Sequence, residues 1–181
     1  MNEKKMSLMD LVFMGMGGCI GAGIFSMLGV GIGYTGRAVW LAFIIAMIFK
    51  MSQQVRMVIM ASMVQKEKAA DLEGYKIASV FYNRLRKPAE FPMLNCDSTI
   101  IYAQDVYAGS SSIIDAYDTY EIRGLPPTPI SNPGLSSLDA ALEPEDTSYY
   151  YFVLNKDANE HVFARTYAEH QRNLQKYGYY D

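Results

Sequence analysis

The rhythm of apolar and polar positions divides this chain. Residues 11–36 hold no charged side chain. That run of 26 positions exceeds the about 20 a helix needs to cross a bilayer. A second apolar run, residues 38–49, ends at Lys50 and is too short to span. From Met51 the pattern becomes helical and amphipathic. Residues 51–70 read as a helix in which Val55, Ile59, Met63 and Glu67 recur every four positions and share one face. Asp71 stands where it can cap a second helix over residues 72–86, with Ile77, Val80, Phe81 and Leu85 facing inward. Pro88 and Pro92 then interrupt regular structure. Residues 124–134, GLPPTPISNPG, predict an ordered loop of low conformational entropy. A short helix is expected over 136–142, a strand over 149–154, a polar turn over 155–160, a returning strand over 161–164 and a closing helix over 166–177. Helices followed by a hairpin predict an α+β fold with a small antiparallel sheet, preceded by an N-terminal transmembrane helix.

Composition sharpens the division. Eleven of the 12 Met and 9 of the 14 Gly lie in residues 1–63, whereas every tyrosine but Tyr34 lies beyond residue 74. Two parts follow: a membrane segment over residues 1–50, with one span at about 11–36, and a second domain over 51–181. The formal net charge of −3 supplies no basic patch for nucleic acid. Cys19 and Cys96 are too few and too far apart for a metal motif, and with His161 and His170 they form no recognisable ligand set. No metal and no cofactor are expected.

The first part has its own signature. Its glycines cluster at Gly15, Gly17, Gly18, Gly21 and Gly23, with GAGIF at 21–25. The stretch LMDLVFMGMGGCIGAGIFSMLG resembles the first transmembrane helix of amino-acid permeases of the amino acid–polyamine–organocation superfamily, and GRAVWLAFIIAMI is similar to the start of their second. The resemblance implies a broken helix whose freed backbone groups hold a substrate. It ends near residue 49, and transport needs many more spans. The bland alternative to permease-like ancestry is a glycine-rich membrane anchor.

In the second part Glu67 carries the chemistry. It continues an apolar stripe yet is ionisable. A carboxyl partly buried among apolar groups has its charged form disfavoured, which is how an enzyme keeps an acid protonated for proton donation. The plainer alternative is a helix end that points Glu67 to solvent between Lys66 and Lys68.

Five ordered blocks favour the first reading: ASMVQKE at 61–67, IASVFYNRL at 77–85, FPMLNCDSTIIYA at 91–103, YDTYEIRGLPPTPISNPGLSSLDAAL at 117–142 and DTSYYYFVLNKDANEHVFARTYAEH at 146–170. Together, over residues 54–175, they resemble the endolytic murein transglycosylase family (MltG/YceG-like). The resemblance implies cleavage of the β-1,4 bond between N-acetylmuramic acid and N-acetylglucosamine in nascent peptidoglycan, leaving 1,6-anhydro-muramyl ends. It places the catalytic acid at Glu67. Gln65, where the family often has Glu, is set aside as the acid. One carboxylate suffices for such a reaction, because the sugar's own C6 hydroxyl replaces water as nucleophile. The same chain without that chemistry is a non-catalytic peptidoglycan-binding module.

Supporting residues follow. Asn83 is read either as a hydrogen-bond donor to sugar or as a helix-end contact to backbone. Asp97, Ser98 and Thr99 are similar to the family's S-D-P-T block, with Ser98 where Pro is common. Asp97 is expected to pair with Arg84 or Arg86. Tyr102, Tyr117, Thr119 and Tyr120 offer flat faces and hydroxyls suited to sugar rings, although tyrosines at such spacing also build cores. Residues 125–132, including Pro127 and Asn132, are expected to wall a cleft. His161, in an H-x-F element, either orients substrate or serves a local backbone group, and His170 is expected on a helix surface.

The implied partners are peptidoglycan glycan strands, peptidoglycan synthases with the divisome and elongation machinery, and membrane lipid. The implied location is the cell membrane, with a single pass and residues 51–181 outside. The family's usual LysM-like subdomain is not recognisable ahead of residue 54.

Overall fold

A computed structural model describes residues 38–179, with side chains described at Ile48 and from Lys50 onward. The span at 11–36, Cys19 and the permease-like glycines lie outside the described residues. Among the described residues no helix is long and apolar enough to cross a membrane. The chain divides into two compact units, Met1–Met51 and Ser52–Asp181.

Helix α1 runs Ala38–Glu67. It begins well before the predicted residue 51. No glycine or proline interrupts residues 38–67, and a lysine such as Lys50 is a good helix former, so a charge that ends an apolar run does not end a helix. Within the second unit, residues 59–64 of α1 are all buried, from Ile59 at 4% exposure to Met60, Ala61, Ser62, Met63 and Val64 at 0%. A helix covered on every side forms the middle of a core and not one wall of it. The predicted stripe is corrected at its start, because Val55 is 52% exposed and burial begins at Ile59.

A single tight turn, Asp71–Glu73, leads into α2, Gly74–Arg86. Asp71 caps neither element, since its carboxylate is taken by Lys68 Nζ and Ser136 Oγ. Helix α2 buries Ile77, Ala78, Val80 and Phe81 as its stripe requires, with Leu85 half-buried. Each large side chain so buried contributes about 1.5–3 kcal/mol. Gly74 lets the start of α2 approach closely: a Cβ there would stand 3.3 Å from Val64 Cγ1 and 3.4 Å from Ala140 Cβ.

Two helices that the hydrophobic pattern did not predict follow, α3 over Asp97–Val106 and α4 over Ser111–Tyr117. Next come α5, Leu135–Leu142, and a two-stranded antiparallel sheet. Strand β1, Tyr151–Asn155, pairs with β2, Glu160–Ala164, so that Val153 faces Val162 and Asn155 faces Glu160. Phe152 of the hairpin meets Phe81 of α2 edge-on at 5.8 Å. Helix α6, Tyr167–Lys176, opens on a reciprocal cap between Thr166 and Glu169. The fold is α+β: helices gathered on one central helix, with a small hairpin.

Candidate active site

Glu67 is the last residue of α1, one turn beyond the fully buried stretch. It is partly buried, and its carboxylate is engaged: Ser98 Oγ donates to Oε1 at 2.6 Å and Cys96 Sγ donates to the same oxygen at 3.1 Å. The alternative of a side chain directed freely into solvent is therefore not what the structure shows. Cys96 is buried, and both that burial and the neighbouring Glu67 charge push its thiol well above the usual range. It stays protonated and able to donate.

The donors are held by a web of buried hydroxyls. Thr119 Oγ1 accepts from Cys96 N at 2.9 Å, Thr99 Oγ1 donates to Cys96 O at 2.8 Å, and the two threonine hydroxyls lie 3.1 Å apart. Asn95 N donates to Thr119 O at 3.0 Å. Asn95 itself adopts a left-handed conformation, φ 53°, that an asparagine tolerates better than most residues. Arg84 Nη1 braces this turn from α2, donating to Leu94 O at 2.6 Å and to Asn95 Oδ1 at 3.1 Å. The expected pairing of Asp97 with Arg84 or Arg86 is thus corrected. Arg84 is spent on the turn and on the rings of Phe91 and Tyr151, 5.5 and 5.2 Å from its guanidinium. Asp97 Oδ1 instead accepts from the Tyr120 hydroxyl at 2.5 Å.

Tyr120 is 44% exposed and its ring is held by that bond. Burial of its hydroxyl end, then the Asp97 carboxylate, push the phenol far above its ordinary range, so it remains a donor. An exposed ring at a fixed tilt beside an acid suits the face of a sugar.

The loop of residues 124–134 lies against the end of α1. Ser62 Oγ accepts from Ile130 N at 3.0 Å, and Ser131 Oγ donates to Ser62 O at 3.0 Å. One turn on, Gln65 Oε1 accepts from Gly134 N at 3.0 Å and from Ser137 Oγ at 2.9 Å. Gln65 is a clamp and not a second acid. Pro127 and Asn132 sit exposed on this loop. Behind Glu67, Lys68 Nζ donates to Ser136 Oγ at 2.6 Å, which ties the helix end to α5.

Several predicted substrate contacts are redirected. Thr99 and Thr119 are fully buried, so they position Cys96 and cannot touch a glycan. Tyr117 is 3% exposed and packs with Tyr102 and Tyr107 at ring separations of 5.7 and 5.8 Å, while its hydroxyl bonds Thr128. Half-buried Tyr102 belongs to the same cluster. Asn83 follows its backbone alternative: its amide donates to Thr147 O at 2.8 Å and Tyr149 O at 3.1 Å, joining α2 to the approach to β1. His161 is also structural. Its side chain is 5% accessible, and its ring Nδ1 and backbone N both bond Glu73, at 2.9 and 2.6 Å. Burial pushes the Glu73 carboxyl up, but the His161 bonds outweigh it and leave Glu73 below its ordinary value. His170 is half-buried and not a surface residue, its ring stacked on Tyr151 at 5.1 Å. Ser62 is a site-building residue that the sequence did not mark, while Gln65, Arg84, Cys96 and Ser98 were noticed there for other reasons: Gln65 and Ser98 as departures from their blocks, Arg84 as a partner for Asp97 and Cys96 as a thiol.

Residues 47–176 match the YceG-like family. An endolytic murein transglycosylase of Bacillus subtilis (strain 168) is 42% identical over 127 residues, covering 67% of this chain and 34% of that protein. One of Streptococcus pneumoniae serotype 2 is 30% identical over 124 residues, covering 63% of this chain and 22% of that protein. A crystal structure of a yceG-like protein from Listeria monocytogenes superposes with a TM-score of 0.58 at 35% identity, over 78% of this chain and 48% of that one. The chain thus spans about a third of the Bacillus relative's length and less of the streptococcal one. Its matched segment takes in Glu67, the hydroxyl web and the hairpin, and on that match the chain belongs to the YceG-like family.

Proposed function

We propose that this chain carries the catalytic part of an endolytic lytic transglycosylase, cleaving the β-1,4 bond between N-acetylmuramic acid and N-acetylglucosamine. The observation that carries the reading is the carboxyl of Glu67, at the end of a clamped helix with one oxygen held by two donors. The names of the Bacillus and Streptococcus relatives point to the same activity.

The chemistry runs as follows. Protonated Glu67 donates to the glycosidic oxygen as the bond to the muramyl anomeric carbon breaks. The C6 hydroxyl of the same muramyl ring then attacks that carbon, and Glu67, now a carboxylate, takes its proton. The product is a 1,6-anhydro ring, and no water is consumed. Holding the C6 hydroxyl against the anomeric carbon supplies much of the rate, because the nucleophile is already part of the bound substrate. Tyr120, Pro127 and Asn132 are exposed, and this reading assigns them to contact with the glycan. The substrate of such an enzyme lies outside the cytoplasmic membrane, so the proposal puts residues 51–181 on that side.

The test is digestion of uncrosslinked glycan strands, read by mass spectrometry. The chain is expected to yield anhydro-muramyl ends, and Glu67→Gln to lower their rate by about 10²–10⁴-fold while leaving the fold intact. A Gln variant as active as the parent would sink the assignment. Strand binding without products would make the chain a peptidoglycan-binding module.

A further inference from the structure

Both hydrogen bonds to Glu67 arrive on one oxygen. Ser98 Oγ and Cys96 Sγ each donate to Oε1, and among the described residues none falls on Oε2. Nor is Oε2 one of the buried side-chain atoms left unpartnered, which are Arg84 Nε and His170 Nδ1. Solvent therefore reaches Oε2 while Oε1 is held.

We infer that Ser98 is a positioning residue which, with Cys96, fixes Oε1 as an anchor and reserves Oε2 as the oxygen that gives and takes the proton. This rests on the transglycosylase reading above. The direction of the Ser98 side chain supports it. Ser98 is the second residue of α3, where a hydroxyl ordinarily turns back to its own helix end. Here it reaches across to a residue 31 positions earlier in the chain. Its neighbours are assigned separately, Asp97 to the Tyr120 hydroxyl and Thr99 to Cys96 O. Three consecutive side chains thus point three ways, and only Ser98 is given to the acid.

The division of labour suits both halves of the reaction. With its proton on Oε2, the carboxyl keeps Oε1 as an acceptor, so the Ser98 bond survives the whole cycle. Oε2 passes its proton to the glycosidic oxygen, and the leaving sugar departs as a neutral alcohol. The C6 oxygen bonds the anomeric carbon, and its proton goes to Oε2. One proton leaves and one returns, through the same atom. Between these events Glu67 is ionised, and hydrogen bonds to a charged acceptor are stronger than those to a neutral one. The two donors therefore favour the middle of the cycle over its start. The thiol is the weaker donor, so Ser98 carries most of the effect.

The experiment compares the full chain with Ser98→Ala, Ser98→Thr, Cys96→Ala and Glu67→Gln on uncrosslinked glycan strands. Ser98→Ala is expected to lower kcat by roughly 10- to 100-fold, the worth of a hydrogen bond to a charged group. KM should stay put, because Ser98 does not touch the glycan. Ser98→Thr, which keeps the hydroxyl, should restore kcat, and Cys96→Ala should lower it by less than Ser98→Ala. A Ser98→Ala enzyme with parental kcat overturns the inference, as does a loss confined to KM. If Glu67→Gln abolishes activity while Ser98→Ala is silent, only the positioning role fails. If Glu67→Gln is itself active, Glu67 is not the acid, and the reading on which the inference rests fails instead.

Discussion

Replacing Ser62 with Ala tests the clamp between α1 and the proline-rich loop. Ser62 is fully buried, and its hydroxyl works in two directions: it donates to Ile59 O at 2.7 Å and accepts from Ile130 N at 3.0 Å. The carbonyl of Ile59 keeps its place in the helical ladder without the serine. The N–H of buried Ile130 loses its acceptor, and a buried donor left unpaired costs about 1–3 kcal/mol. Alanine returns a few tenths of a kcal/mol in helix propensity. The net expectation is a loss of about 1–2.5 kcal/mol, or roughly 3–12 °C in Tm for a domain of this size. Ser131→Ala provides the internal comparison. It removes a donor to Ser62 O, a carbonyl that keeps its helical partner, and should cost only about 0.5–1.5 kcal/mol. Thermal unfolding followed by near-ultraviolet circular dichroism gives the stabilities, and hydrogen exchange of the peptide covering residues 125–134 gives the loop. Ser62→Ala should lower the protection of that peptide well before global unfolding. A variant within about 0.5 kcal/mol of the parent, with the loop still protected, would refute the claim that Ser62 holds the wall in place.

Two further outcomes follow from other parts of the chain. Burial first, and the Arg84 charge second, hold the His170 imidazole below its ordinary value of 6.5. The unfolded chain then binds a proton that the folded chain resists, so the stabilising contribution is complete above pH 6.5 and is lost as pH falls through the folded value. Melting temperature should decline more steeply below that pH in the parent than in His170→Gln, and equal slopes would dismiss His170 as the source. For the topology, a cysteine placed at exposed Ser111 should react with a membrane-impermeant reagent in intact cells, and protection there would reverse the proposed orientation.

What the sequence revealed about this fold depended on where hydrophobicity does the organising. The hairpin and the closing helix were legible because Val153, Val162 and the Thr166–Glu169 cap follow their periodic rules directly. Helices α3 and α4 were not, because their inward positions are Thr99, Ala103 and Tyr117 while Ile101, Val106 and Ile113 face solvent. A helix anchored through hydroxyls and small residues leaves no apolar stripe to read. The same holds at the site. Glu67 was legible as an acid interrupting an apolar face. The fates of Thr99, Thr119 and Asn83 were not, since a polar side chain bound for a buried network looks, in a sequence, like one bound for a ligand. Asp97 was assigned an arginine by charge alone, and the structure gave it a phenol because Arg84 had backbone carbonyl and aromatic neighbours to serve.

Ser62 and Gln65, three positions apart on α1, grip two points of one loop and the helix that follows it. A helix held at two such points can neither rotate nor slide. One residue inserted between Gln65 and Glu67 would swing the acid by about 100° and advance it about 1.5 Å, with no freedom upstream to absorb the error. The proline-rich loop thus acts as a gauge that indexes the azimuth of the carboxylate. Lineages of this domain should accordingly tolerate length changes in the polar turn between the strands far more readily than in the few residues before the acid.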